Sequence, residues 1–471
     1  MIRPFMILLL VPSLHGAVKP PPPVLPIPTA RQLYWQSVEL SLFLHFGMNT
    51  FTDREWGMGN EDPAFFNTLR LDAGQWAQLA ARTGFGRLIL TAKHHDGFCL
   101  WPSRYTEHSV KGSPWRKGEG DLVREFTDAC RKTGLQAGLY LSPWDRHEPS
   151  YGDSPAYNAF YAAQLRELLT LYGSVAEMWF DGACGEGPNG KVQVYDFPLF
   201  RALVRQLQPA AVMFSDEGPD VRWVGNEKGF AGETCWSMMD RSKVKMGTEN
   251  TGYLNEGEPG GPDWVPAECD VSIRKGWFWH PEESPKSLAE LLNIYFKSVG
   301  RNGILLLNVP PNREGRIDRA DEERLLEFRS AIDVIFEKDL AFIRPATASQ
   351  VRGGSQDFGP GRAVDGDPAT FWAVEDSARE AWIEISLDQE AGFNVFRIEE
   401  PVALGQRIAS YRIEIPDGPG WMTIAKGTTV GRKKLDRFPE VRADRIRLVI
   451  EKSQACPILS EIGVHFSPFQ F

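Results

Sequence analysis

The stretch DLVREFTDACRKTGLQAGLYLSPWDR, residues 121–146, holds the fold in miniature. Asp121 is a good helix N-cap, the apolar positions after it recur at helical spacing, and Gly134 stands where a helix can end in a left-handed residue. Gln136 to Leu141 then has the length and near-continuous hydrophobicity of a strand buried on both faces. It runs directly into the polar cluster Ser142-Pro143-Trp144-Asp145.

The same punctuation recurs on either side. Helices are expected over 72–82, ending before Gly84, and over 157–171, ending at Gly173. Strands are expected over 41–46, 87–92, 176–180 and 211–214. Each meets a polar group at its end: His45, Lys93-His94-His95-Asp96, Asp181 and Ser215-Asp216. Alternating strands and helices imply parallel strands joined by helical crossovers, and over residues 31–342 a (β/α)8-like barrel is the most economical closure, with an open doubly wound sheet as competitor. In a barrel the polar clusters converge on one rim, where an active site is expected.

From residue 343 the pattern changes to short alternating strands over 381–387, 393–399, 409–415, 421–426, 445–451 and 461–466, separated by turn residues. Residues 343–471 therefore read as an antiparallel β-sandwich. The first 17 residues, with Arg3, the apolar run from Phe5 to Val11 and small residues at Gly16-Ala17, read as a secretory signal, followed by a Pro-rich spacer over 18–30. Export to the periplasm or beyond the cell is the expectation, and no later stretch is long and apolar enough to span a membrane.

The chain has 471 residues, 42% of them hydrophobic and 24% charged, which fits a large folded protein. Its net charge of −10 offers no electrostatic footprint for nucleic acid. Oligomeric state has no sequence signature here. Six widely spaced cysteines have neither disulfide-scaffold density nor a metal-type CxxC, so buried thiols are expected. Trp is abundant at 15, against 11 Tyr, and all but Trp372, Trp382 and Trp421 fall before residue 280, so the surplus belongs to the barrel.

Two motifs carry chemistry. In Glu177-Met178-Trp179-Phe180-Asp181-Gly182 a carboxylate ends a buried strand between aromatics and a glycine that permits close approach; the bland reading makes Asp181 a helix cap. In Arg222-Trp223-Val224-Gly225-Asn226-Glu227 a second carboxylate follows Trp and Arg. Two carboxylates on different loops are the minimum equipment for retaining glycoside hydrolysis, in which they stand about 5–5.5 Å apart. Asp216, Glu217, Asp263 and Glu268 are rivals for the second role. His94 and His95 suit a metal by type, but neighbours on a strand point to opposite faces, so one metal would not use both unless the backbone has already left the strand. Sugar hydroxyls fit them better, with Lys93, Phe98 and Trp101 expected to add charge and an apolar platform.

These motifs, with Phe43 through Thr52, Glu55-Trp56-Gly57, Lys93 through Trp101, Leu141 through Arg146 and Leu305 through Pro311, resemble the glycoside hydrolase family 29 α-L-fucosidases from about Arg31 to Arg316. They most resemble the branch acting on α-1,3 and α-1,4 fucosyl linkages. The resemblance implies a retaining, exo-acting enzyme with Asp181 as nucleophile and Glu227 as acid/base, releasing fucose from glycans such as Lewis-type branches. It also implies His45, Glu55, Trp56, His94, His95, Trp144 and Trp179 as the sugar-binding set, with no metal or organic cofactor. Two alternatives stand beside it: a lectin-like protein that binds fucose without turnover, and a metal-dependent hydrolase built on the His cluster. Ala363 through Trp372 is similar to the discoidin-like (F5/8 type C) sandwiches, for which a structural or auxiliary role is favoured over sugar binding.

Overall fold

The computed structural model describes residues 18–247 and 250–470, so the signal read over 1–17 lies outside the described residues. Among the described residues ten strands precede residue 310: β1 (Leu40–Leu44), β2 (Arg87–Lys93), β3 (Gln136–Leu141), β4 (Glu177–Trp179), β5 (Val212–Ser215), β6 (Val221–Trp223), β7 (Met238–Met239), β8 (Asp263–Trp264), β9 (Ala267–Ser272) and β10 (Ile304–Asn308). All but β7 and β8, which pair antiparallel with each other, close into a barrel of parallel strands in chain order, with β10 returning to β1.

Helices α1 (Ala30–Ser37), α2 (Met48–Thr52), α3 (Ala73–Arg82), α4 (Leu122–Thr133), α5 (Ser154–Leu171), α6 (Phe197–Leu207), α7 (Thr251–Glu256), α8 (Leu288–Lys297) and α9 (Arg319–Phe336) accompany the strands. Their ends follow capping chemistry. Asp72 and Asp121 accept backbone N–H bonds from Gln75 and Arg124, and Gly134 closes α4 at φ +75°. α5 begins three residues before the expected Tyr157, because Asp153 caps it and Pro155 occupies its first turn, where a missing N–H costs nothing.

The barrel lumen is layered. At the bottom Trp35 of α1 plugs the opening and donates its indole N–H to Glu177 at 2.8 Å, while Arg87 pairs with the same carboxylate at 3.2 Å. Glu268 lies beside Glu177 and is pushed well above the ordinary carboxyl range by burial and by that neighbouring charge, the direction that favours the protonated acid. Phe43, Ile89, Tyr140, Trp179, Phe214 and Leu306 form the apolar layer above. Removing one member of such a buried charge cluster costs about 3–5 kcal/mol, because its partners stay desolvated.

The C-terminal unit contains β11 (Ala346–Ala348), β12 (Trp372–Ala373), β13 (Ala381–Glu399), β14 (Ile408–Asp417), β15 (Gly420–Gly427), β16 (Lys434–Ser453), β17 (Ile458–Leu459) and β18 (Glu461–His465). Its main antiparallel sheet runs β11-β13-β16-β14-β15 with β18 on β13, and β12 pairs with β17. The strands expected over 381–387 and 393–399 are one long bent strand, since β13 changes register against β16 between Ser386 and Ala391 and needs no turn there. The 363–372 motif serves this core: Trp372 is fully buried, and Thr370 donates to Asp365 at 2.8 Å within its own loop.

Residues 18–29 are not a free spacer. Arg407 donates to the Pro22 carbonyl at 2.7 Å and the Val24 N–H to Leu404 at 3.0 Å, which docks this segment on the sandwich. Asn302, held at φ +64°, accepts the Arg432 N–H at 2.7 Å, and Lys433 pairs with Glu39 at 2.6 Å. Both Asn302 and Glu39 precede barrel strands, so the sandwich is seated at the N-terminal end of the barrel and leaves the opposite rim open. None of the six cysteines is paired, and five are buried. No described helix is long and apolar enough to cross a membrane.

Candidate active site

At the carboxyl ends of the strands lies a cavity of about 540 Å³, within the range of small-molecule sites. His45, Glu55, Trp56, His94, His95, Trp179, Asp181 and Glu227 all line it. Trp144 stands one layer out, its ring 4.8 Å from His95 and 5.9 Å from Trp56. Lining residues that sequence reading did not assign are Tyr140, Trp223, Asp270 and Trp277.

Asp181 lies two residues past the end of β4 and is held by two donors, the Tyr140 hydroxyl at 2.8 Å and the Ala183 N–H at 2.7 Å. Burial and the Asp181 charge hold Tyr140 far above its ordinary range, so it remains a donor. Asp181 therefore acts in the site as an oriented carboxylate and not as a helix cap. Gly182 is required by crowding: a Cβ there would lie 2.5 Å from the Asp216 carboxylate.

Burial favours the neutral form of the three histidines, and the tautomers of His45 and His95 follow from their partners. Burial lowers His45 to about 3 and pushes His94 and His95 down as well. Asn308 donates its amide to Ser272 and to the Trp277 carbonyl, so its oxygen accepts from His45 Nδ1 at 2.9 Å. Ser142 donates to the Trp144 carbonyl and accepts from His95 Nδ1 at 2.7 Å. Both rings are left with Nε2 as a bare acceptor, and that of His95 is 3.9 Å from Asp181.

One condition about this segment is met and one expectation is corrected. Neighbouring residues point apart only while they stay on a strand; β2 ends at Lys93, the backbone has left the strand, and the His94 and His95 rings both face the cavity with centroids 4.1 Å apart. Lys93, Phe98 and Trp101 do not reach the sugar site. Lys93 is fully buried on the outer face of β2, bonded to Asp145 at 2.8 Å and Gln164 at 3.0 Å, and Phe98 and Trp101 belong to the outer core. Strand alternation explains the difference, since Lys93 points away from the lumen. Among the described residues no group of three or more His, Cys, Asp or Glu is arranged to hold a metal.

Glu227 lies beyond β6, where Trp277 donates its indole N–H to it at 3.3 Å. Partial burial, reinforced by the charges of Asp181 and Glu55, raises its carboxyl above the ordinary range, the direction a proton donor needs. Glu55 holds the segment that carries Trp277, accepting its backbone N–H at 2.7 Å and bonding His280 at 2.6 Å. Trp56, 59% exposed, is left at the mouth of the cavity on a loop clamped by Arg146, which donates to the Gly57 carbonyl at 2.6 Å.

The rivals for the second carboxylate separate by position. Glu268 is sealed in the lumen, where it accepts the Trp179 indole N–H at 2.9 Å. Glu217 pairs with Arg201 at 2.6 Å and Asp263 accepts the Arg241 N–H at 3.2 Å, both away from the cavity. Asp216 lines the cavity but is engaged by the Gly247 N–H at 2.6 Å.

Both parts of the chain match known families. Residues 31–332 match the α-L-fucosidase family model, and residues 345–462 match that of the F5/8 type C domain. α-L-Fucosidase 1 of Arabidopsis thaliana is 49% identical over 457 residues, covering 96% of this chain and 90% of the relative. The crystal structure of SpGH29 superposes with a TM-score of 0.91 at 42% identity, covering 96% of this chain and 100% of that one. A GH29 fucosidase of Ruminococcus gnavus in complex with fucose superposes at 0.90 with 36% identity, covering 97% and 98%. On its closed barrel, its family match and its relatives along nearly the whole chain, the protein belongs to the glycoside hydrolase family 29 α-L-fucosidases.

Proposed function

We propose that the protein releases α-1,3- and α-1,4-linked fucose from glycans by double displacement, with Asp181 as nucleophile and Glu227 as acid/base. The observation that carries this reading is the contrast between the two carboxyls. Asp181 is oriented by two hydrogen-bond donors, whereas Glu227 has one long bond and a raised proton affinity. Asp181 attacks the anomeric carbon as Glu227 protonates the departing glycosidic oxygen. Forming the ester removes the Asp181 charge that helps Glu227 keep its proton, so Glu227 becomes the better base for activating water. His45 and His95 accept from sugar hydroxyls through Nε2, and the indoles offer apolar surface to the 6-methyl group. The chemistry calls for no metal or cofactor.

The linkage preference draws support from the family branch whose motifs the chain resembles. Matched α-1,2, α-1,3 and α-1,4 fucosyl oligosaccharides should show kcat/KM at least about tenfold higher for the latter two, a difference of roughly 1.4 kcal/mol in transition-state binding. Faster cleavage of the α-1,2 linkage would overturn this preference. The 1–17 segment is the basis for proposing export to the periplasm or medium. Sequencing of the mature N-terminus should find the chain starting near residue 18, and an intact Met1 in the cell interior would reject it.

A further inference from the structure

Five carboxyls line the catalytic cavity, Glu55, Asp181, Asp216, Glu227 and Asp270, and no lysine or arginine is among its described lining residues. So many negative charges in one desolvated pocket repel strongly, and each needs donors or a proton. Glu55 has two backbone N–H groups and His280, Asp181 has Tyr140 and Ala183, and Asp216 has the Gly247 N–H. Asp270 is the most deeply buried of the five at 3% exposure, and its side chain receives the Trp223 indole N–H on Oδ1 at 2.8 Å.

Its position gives that bond leverage. Asp270 lies on β9 beside β6, and Trp223 is the last residue of β6, immediately before the 224–227 turn that ends in Glu227. Trp223 itself lines the cavity. The charged groups that act on Asp270 are Glu227, from the loop after β6, and Asp181, from the end of β4; both disfavour its ionisation, as does burial. From β10 it meets Leu306 as its register partner, which brings no charge.

We propose that Asp270 is a positioning residue of the hydrolytic site that keeps its proton through the reaction and works as a neutral hydrogen-bonding group, holding Trp223 and, through it, the turn that carries Glu227. The proposal rests on the acid/base assignment of Glu227. An ionised Asp270 would tighten the hold of Glu227 on its proton and oppose transfer to the leaving oxygen. The neutral acid still accepts the Trp223 N–H on Oδ1, and its O–H can donate. A carboxamide has the same donor and acceptor arrangement, whereas a methyl group leaves the indole N–H without a partner.

That difference supplies the test. Asp270→Asn should keep kcat/KM on an aryl fucoside within about fivefold of wild type, with an unmoved alkaline limb, while Asp270→Ala should lose roughly 10- to 100-fold, mainly in kcat. Asp270→Asn falling as far as Asp270→Ala would show that the charge is required and would overturn the proposal, as would an Asp270→Ala enzyme with wild-type rates. Infrared difference spectra of wild type against Asp270→Asn provide a readout that does not depend on the alanine variant folding. A protonated-carboxyl C=O band at neutral pH should be present in wild type and absent from the amide, and its lack in wild type would also refute the idea. The amide and alanine contrast reads Asp270 alone, while azide rescue of Glu227→Ala on an activated aryl fucoside reads Glu227 alone, so the two assignments fail separately.

Discussion

Asp181→Ala should lower kcat/KM on an aryl fucoside by about 10,000-fold or more while the folded protein still binds fucose. The size follows from the chemistry: with no carboxylate at this position the covalent intermediate cannot form, and the remaining groups only bind and orient. Folding should survive, since Asp181 is at the rim and partly exposed, and the alanine leaves only Tyr140 and Ala183 seeking a partner, which water in the cavity can supply. Azide is small enough to enter the vacated space and attack the substrate from the nucleophile's side. The expected product is β-fucosyl azide, inverted relative to the α-linked substrate. Residual activity above about one-tenth of wild type would remove Asp181 from the nucleophile's role. An inactive wild type that binds fucose would favour the lectin-like alternative.

Glu227→Ala should behave differently, and the comparison with Glu268→Ala decides the second carboxylate. With a natural glycan, whose leaving group needs a proton, Glu227→Ala should lose about 1,000-fold or more. An activated aryl fucoside still forms the intermediate, and azide then intercepts it with a second inversion. The product is α-fucosyl azide, so the anomeric configuration of the azide tells which carboxyl was removed. Glu268→Ala should show no azide rescue, because its carboxyl is sealed in the lumen between Glu177 and the Trp179 indole. Its loss should appear instead as about 3–5 kcal/mol of stability, read by urea unfolding. Rescue of Glu268→Ala and not of Glu227→Ala would reverse the assignment.

The pH profile carries the same information. Glu227 must be protonated to act as acid, and its raised proton affinity keeps that form populated to higher pH than an ordinary glutamate would. With Glu227 as the acid, activity on natural glycans should therefore be retained as pH rises until the Glu227 carboxyl loses its proton and should be lost above that point. Glu227→Ala should lack this alkaline limb.

Much of the architecture was legible because burial writes a simple pattern. β1 to β5 are runs of apolar residues ending in polar clusters, and the aspartate caps and terminal glycines mark their helices. β6 is only three residues long, too short for any period to show. β9 was hidden by its polar lumen-facing residues: Glu268, Asp270 and Ser272 alternate with apolar neighbours, so the strand reads as a polar loop. That alternation was the available signal for Asp270. Tyr140 was equally concealed, an apparent core residue in a buried strand whose hydroxyl orients Asp181.

The sequence by itself determined the alternating strands and helices of the first domain, the antiparallel strands of the second, and the polar clusters that follow β1 to β5, with Asp181 and the histidines among them. These follow from local rules, since chain periodicity and capping are decided within a few residues. Only the tertiary structure decided that Lys93 turns outward, that His94 and His95 share a face, and which acids meet. Asp181, Glu227 and Asp270 come from separate strands, and Glu268 is excluded from the cavity by lying one layer lower in the lumen. Strand stagger and barrel closure set those distances, and with them the fields that assign a proton to one carboxyl and a negative charge to the next. Such fields depend on separations through space that no spacing along the chain encodes.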